Sequence, residues 1–495
     1  MAKINKLLIA NRGEIALRVM RSAREMGLST VAVYSEADRH ALHTRFADEA
    51  VCIGPAPSSK SYLNIDQILE ACQRTQADAI HPGYGFLSEN AGFARRVQEA
   101  GIIFVGPSPE AIEVMGSKLA AKAAVSKFEV PLVPGTDTPI DDVTAAREAA
   151  ARIGYPVLIK ASAGGGGKGM RIVTSEDELA EQMERAISEA TSAFGDGSVF
   201  IEKYIVGPKH IEIQIVGDQH GEHAYLFERE CSIQRRYQKV IEEAPSPSIS
   251  EATRQAMGEA AVHVAKACQY VGAGTVEFVM GQDQQFYFLE MNTRLQVEHP
   301  VTEMITGLDL VKEQIRIAEG EPLSVKQEQL HIQGHAIEVR VYAEDPANNF
   351  LPDTGTLRTY RRPQGPGVRV DDGFEEGMEI PIYYDPMIAK LIVHAGSREE
   401  AIQRMIRAID EYQISGVATT LSFCRFVLTH PAFLSGEFTT KFVGEHFSPE
   451  ALSRSLPKAT EEVAVLLAAH LVKNHSAIPT SNTTSDESKW KKRRW

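Results

Sequence analysis

The stretch that decides the reading is Phe286-Tyr287-Phe288-Leu289-Glu290-Met291-Asn292-Thr293-Arg294-Leu295-Gln296-Val297-Glu298-His299-Pro300. It begins as an apolar strand and then places Glu290, Asn292, Arg294, Gln296 and Glu298 at alternating positions, with His299 next in line. In an extended chain a period of two puts those side chains on one face. A face carrying that much charge is not ordinary core and is expected to line a site.

Working outward, residues 275–280 and 286–290 flank a five-residue turn and read as a hairpin. With the turn centred between Asp283 and Gln284, Val279 is expected opposite Phe288, and Glu277 opposite Glu290. Two carboxylates directly across a ladder lie about 5 Å apart and repel. A hard divalent cation between them, with Asn292 as a third oxygen ligand, resolves the repulsion. Spacing alone leaves open a protonated carboxylate or a shifted register.

The chain before the hairpin starts as a βαβ unit over residues 6–34 and continues as an α/β domain to about residue 114. A dinucleotide fingerprint fails at its first turn, where only Gly13 is present. A helix is expected over residues 117–128. Strands at 157–160 and 170–173 enclose four consecutive glycines, Gly164 to Gly167, whose backbone N–H groups suit a flap over phosphates. A Walker A loop is excluded: Ser162 stands for its first glycine, Gly169 for its Ser/Thr, and a strand follows. Residues 229–243 crowd Gln234, Arg235, Arg236, Lys239, Glu242 and Glu243, which composition alone does not separate from a solvated face. From residue 334 a third region begins, with Glu338 and Arg340 on one face of a strand. Residues 461–472 read as an apolar helix, followed by a polar tail ending in a basic run with Trp490 and Trp495.

The 495 residues exceed one core and suggest about three domains. A net charge of -14, from 52 basic and 66 acidic residues, argues against a nucleic-acid surface. No apolar run reaches the ~20 residues of a membrane span. With a strand starting near the N-terminus, a cytoplasmic protein is expected. Cys52, Cys72, Cys231, Cys268 and Cys424 are scattered, so neither zinc nor disulfides are indicated. A glycine flap, Lys160 and Lys168 beside it, an acidic pair and a dense charge cluster together describe phosphoryl transfer to a small anion. Lys239, Arg294 and Gln296 would hold that anion, and Glu298 would take its proton.

Across residues 1 to about 447 the chain resembles the biotin carboxylases of the ATP-grasp superfamily. The resemblance is carried by residues 9–16 (Ile-Ala-Asn-Arg-Gly-Glu-Ile-Ala), 81–90 (His-Pro-Gly-Tyr-Gly-Phe-Leu-Ser-Glu-Asn), 160–170, 234–244 and 290–300. It implies an α/β and α+β fold: a Rossmann-like N-terminal domain (1–114), an ATP-grasp domain (115–333, with a lid at about 132–204), a C-terminal biotin carboxylase domain (334–447), and a helical extension with a basic tail (448–495). It implies ATP, Mg2+ or Mn2+, and biotin borne by a separate biotin carboxyl carrier protein, with a carboxyltransferase subunit and a homodimer. ATP would meet Lys118, Lys160, Gly166, Gly167, Met170, Glu202, Lys203, Tyr204, Ile205, His210, Gln234, Tyr237, Glu277 and Glu290. Metal would lie on Glu277, Glu290 and Asn292. Bicarbonate would sit among Lys239, Arg294, Gln296, the Val297 backbone and Glu298 as base. Biotin would lie near Tyr84, Arg294 and Arg340, the last stabilising its enolate.

Two departures stand out. Tyr237 occupies a position where much of the family has His, and residues 417–420 depart from its usual Lys-Thr-Asn. No Ala/Val-Met-Lys-Met biotinylation site occurs, so carrier and carboxyltransferase are expected on other chains. The competing readings are a different ATP-grasp ligase, which should lack the 294–298 segment with Arg340, and a silent regulatory subunit, which should have lost an acidic ligand or lysine.

Overall fold

The computed structural model describes residues 3–136, 138–140, 142–161, 170–194, 198–452, 463 and 465–470. The expected glycine flap, with Gly166, Gly167 and Lys168, and the tail tryptophans lie outside them. Met1–Phe447 form one compact unit and Ser448–Trp495 a second. Of the expected helix at 461–472, residues 463 and 465–470 are described and helical.

Short apolar runs give a parallel sheet of β1 (Lys6–Ile9), β2 (Ser29–Ser35), β3 (Glu49–Gly54), β4 (Ala79–His81) and β5 (Ile103–Phe104), in the order β3-β2-β1-β4-β5. Buried side chains on both faces explain why these runs are nearly continuous in apolar residues. The strand order reverses between β1 and β4, and the crevice beyond such a switch point is where ligands bind in open α/β sheets. Here the Asn11 amide, just past β1, donates to the carbonyls of Pro82 at 2.7 Å and Tyr84 at 2.8 Å, just past β4. That fixes Tyr84 at the crevice.

Between residues 117 and 128 the structure has a helix at Lys118–Val125, capped by Ser117, following a separate helix at Pro109–Gly116. A three-stranded antiparallel sheet follows: β6 (Val157–Ala161), β7 (Met170–Val173) and β8 (Val199–Lys203), ordered β7-β6-β8. It has its own small core, built on Val157, Ile159, Val173, Val199 and Ile201.

The largest sheet is antiparallel and contains β9 (Lys209–Gly217), β10 (His223–Arg235), β11 (Gln238–Ala244), β12 (Gly272–Met280), β13 (Phe286–Asn292) and β14 (His335–Tyr342), with Met387–Ala395 and Val368–Asp372 beyond β14. Its order is β13-β12-β9-β10-β11-β14, so β11 pairs with β14 and the sheet runs through the chain on both sides of residue 333.

Two expectations about the deciding stretch need correction. Glu277 does face Glu290, but Val279 faces Tyr287 and Phe278 faces Phe288, because Leu289 is an extra residue bulged out of the ladder. The bulge lets Phe288 and Met291, three positions apart, both pack in the core with Val276 and Phe278, while Glu290 and Asn292 take the other face. The extended chain also ends at Asn292. Residues 293–298 turn, and a helix starts at His299, where Pro300 suits the first turn. The polar side chains still meet, through that turn and not through one strand face.

Candidate functional site

The crowded segment at 229–243 forms β10 and β11, and much of its charge is buried. Arg229, Glu230, Glu242 and Glu243 are inaccessible, and Lys239 is nearly so. Isolated buried charges are costly, so each needs partners. Lys239 binds three carboxylates: Glu212, Glu277 at 3.0 Å and Glu298 at 2.6 Å. Burial alone would lower its pKa, but those three acids raise it well above that of an ordinary lysine. Lys239 is therefore a fixed cation.

Arg229 uses its whole guanidinium. It donates to Glu212, to Gln214 at 2.7 Å, to Thr302 at 2.9 Å, to Thr275 at 3.1 Å and to Gln296 at 2.8 Å. With its carbonyl oxygen held there, the Gln296 amide turns its N–H to Glu277 at 2.8 Å. Glu298 accepts from Lys239 through one oxygen and from Arg340 at 3.0 Å through the other. Burial pushes Glu298 up, yet Lys239, Arg340 and Arg229 outweigh it and hold the carboxyl well below the usual range. Arg340 also donates to Glu242 at 2.6 Å. Burial drives Glu242 up to about 7 against the pull of Arg340.

Along β13 and the turn, the Asn292 amide donates to Glu277 at 2.9 Å and accepts from Arg294 at 3.0 Å. Arg294 pairs with Glu89 at 2.7 Å. His210 approaches Glu277 to 3.0 Å. Burial raises Glu277, but Lys239 and His210 bring it well below an ordinary glutamate. Glu290 behaves oppositely: burial and then the facing Glu277 raise it, and it has no hydrogen bond or ion pair among the described residues. A carboxylate without a partner opposite another carboxylate fits a hard cation with oxygen ligands. Among the described residues two groups of ligand-type side chains each lie within 4.8 Å of one another, His210 with Glu212 and Glu277, and Glu212 with Cys231 and Glu298; neither includes Glu290.

On the nucleotide side, Lys160, the penultimate residue of β6, faces Met170 on β7 and lies 3.8 Å from Glu202 on β8. Lys118 starts its helix and is exposed. The Lys203 ammonium is spent on the carbonyls of Gly154 and Tyr155, at 2.8 and 3.1 Å, so its side chain turns away from Glu202. The Tyr204 ring lies under Lys441, and Ile205 follows it. Gln234 donates to the Cys231 carbonyl at 2.8 Å. Tyr237 is 79% exposed in a two-residue turn with Arg236, both at positive φ. Tyr84 donates its hydroxyl to Glu14.

Several site groups escaped the sequence reading. Glu89 lies in the 81–90 segment, where nothing signals its pairing with Arg294. Arg229 and Glu212 sit on neighbouring strands in register, a pairing that needs the topology. Lys122, which binds Glu202 at 2.9 Å, carries only an ordinary helical lysine signal.

A small antiparallel sheet carrying Lys160, facing acidic residues on the β12–β13 hairpin and buried cations beside them define a nucleotide-dependent ligase of the ATP-grasp class. Residues 3–112 match the family described as biotin carboxylase, N-terminal domain. Residues 117–326 match carbamoyl-phosphate synthase L chain, ATP binding domain, and residues 338–445 match biotin carboxylase C-terminal domain. Biotin carboxylase 1 of Bacillus subtilis (strain 168) is 54% identical over 89% of this chain and 98% of its own length. The human mitochondrial propionyl-CoA carboxylase alpha chain is 52% identical over 94% of this chain, which spans 64% of that protein. A solved dimer of the Hydrogenobacter thermophilus 2-oxoglutarate carboxylase biotin carboxylase domain, in complex with MgADP, ADP and bicarbonate, superposes with a TM-score of 0.82 at 48% identity, covering 92% of this chain and 100% of that one. The chain belongs to the biotin carboxylase family.

Proposed function

We propose that the protein carboxylates biotin on a biotin carboxyl carrier protein, using ATP and bicarbonate, as the first half-reaction of an acyl-CoA or 2-oxo acid carboxylase. The observation that carries this is Glu298, held between Lys239 and Arg340 beside Gln296 and Arg294. Bicarbonate entering there would compete with Glu298 for Lys239. Relieved of one cation, Glu298 becomes basic enough to take the proton. The freed oxygen attacks the γ-phosphorus, ADP leaves, and carboxyphosphate forms. Its breakdown yields CO2 and phosphate. The phosphate removes the N1′ proton of biotin, Arg340 stabilises the resulting enolate beside Tyr84, and N1′ attacks CO2. Mg2+ on Glu277 and Glu290, with Asn292, would supply charge neutralisation at the phosphates.

Lys118, Lys160 and the Gly166–Gly167 backbone would meet the phosphates, Met170, Glu202, Lys203, Tyr204 and Ile205 the adenine, and His210 and Gln234 the ribose side. The division at 114, 333 and 447, a homodimer, a carboxyltransferase on another chain and a cytoplasmic location belong to the same reading. Among the described residues no helix is long and apolar enough to cross a membrane. The test is ATP cleavage measured with and without bicarbonate and free biotin. Stimulation that needs both is expected, and cleavage indifferent to bicarbonate would reject the reading.

A further inference from the structure

The turn at residues 296–298 has little regular structure to hold it, yet its peptides are fixed from below by two groups the mechanism above does not use. His299, completely buried, donates from Nδ1 to the Gln296 carbonyl at 2.8 Å. Lys390, also completely buried, donates to the Val297 carbonyl at 2.8 Å. The Gln296 carbonyl shares its peptide plane with the Val297 N–H, and the Val297 carbonyl shares its plane with the Glu298 N–H. The peptides on either side of Val297 are thus each held by one buried side-chain donor, and the Gln296 carbonyl also takes the His299 backbone N–H at a longer 3.3 Å. From Leu295 to Pro300, Val297 is the only residue that is not buried, so the turn is open to a ligand at that residue.

Burying a lysine to hold one carbonyl is costly unless it is paired. Its further partner is Glu14 at 3.4 Å, whose other oxygen takes the Tyr84 hydroxyl. On the neighbouring strands Lys390 lies opposite Arg340 and Asp371. One side chain therefore ties the turn to the residue placed beside biotin. His299 makes the complementary contact as a neutral ring, since burial and the nearby Lys390, Arg18 and Arg369 keep it from charging. A carbonyl acceptor then requires the proton on Nδ1.

We propose that Lys390 and His299 are positioning residues that set the peptide planes on either side of Val297, so that the Val297 N–H is presented to bicarbonate. The inference rests on the bicarbonate site described above. Loss of either donor removes the shorter restraint on one plane and loosens it, while the nucleotide contacts, carried by other strands, stay in place.

The test uses the full chain with ATP, bicarbonate and free biotin. Lys390→Met and His299→Leu are expected to raise KM for bicarbonate about tenfold, the scale of one hydrogen bond to a charged ligand, with KM for ATP changing less than about twofold and kcat falling less than kcat/KM. His299→Asn, which keeps a donor near the Nδ1 position, should recover most of the loss; Lys390→Arg serves the same comparison if Lys390→Met does not fold. Unchanged KM for bicarbonate in folded variants, or equal shifts in both KM values, overturns the proposal. Unaltered enzyme that cleaves ATP without bicarbonate would instead refute the underlying site, a separate outcome.

Discussion

Glu298 is the residue on which the chemistry turns, and its surroundings set two demands against each other. Lys239 and Arg340 keep it ionised and oriented, but the same two cations make it a weak base until a competing anion arrives. Glu298→Gln keeps the shape and one hydrogen-bond acceptor while removing the charge. It should lower bicarbonate-dependent ATP cleavage by roughly 10²–10⁴-fold, the range for a lost general base; steady-state assay with near-normal activity would end that assignment. Tyr237 is a different case. It stands in the left-handed region beside Arg236, which is also there, and each such residue costs about 1–2 kcal/mol. With the ring 79% exposed, Tyr237→Gly should raise stability by about 1 kcal/mol and leave KM for ATP within about twofold. A tenfold rise would show that the ring engages the nucleotide.

At the scale of elements, the β12–β13 hairpin decides where the acidic pair points. A strict two-residue period would put Phe288 and Glu290 on one face; the bulge at Leu289 separates them. Leu289 is 40% exposed, whereas Phe288 is in the core. Leu289→Ser should therefore change stability by less than about 0.5 kcal/mol, and Phe288→Ala should cost about 3–5 kcal/mol, both read by denaturant titration. Comparable losses would mean that Leu289 is not bulged outward. This is also where the sequence was legible only in part. Counting from a centre between Asp283 and Gln284 reaches the facing of Glu277 and Glu290 only because the loop is centred on Asp283 and the bulge beyond it adds one residue to β13. The bulge itself leaves no mark, since Leu289 continues the apolar run of Phe286 to Phe288. The polar spacing through Glu298 picks out side chains that the structure brings together, but it implies a strand where Pro300 and the helix start at His299 impose a turn.

Across the whole molecule, the arrangement of strands supplied what spacing could not: β10 and β11 bury a charge run that composition left undecided, and β14 brings Glu338 against Glu242. Glu338 is completely buried, and neither of its oxygens has a hydrogen-bond partner. Burial raises it well above an ordinary glutamate; Lys390 and Arg340 pull it down, while Glu242 and Glu298 push it further up. Glu242, also buried with one oxygen unpartnered, is pushed up to about 7. The two facing carboxyls hold protons in the folded protein that the unfolded chain releases above its own pKa, near 4.5. The folded state then binds more protons than the unfolded one, so stability from this pair is fully present below pH 4.5 and is lost as pH rises through the folded values, by up to ~1.4 kcal/mol per pH unit for each proton. Glu338→Gln removes one titrating member while keeping the volume. Relative to the unaltered protein, the variant should gain stability steadily as pH rises from 5 to about 7, measured as the difference between their thermal midpoints. Lys239, Glu277 and Glu298 are common to both proteins and largely cancel in that difference. A difference that stays flat across the range would mean that Glu338 is ionised in the folded protein, and that the pair facing across β11 and β14 is held by a cation and not by a proton.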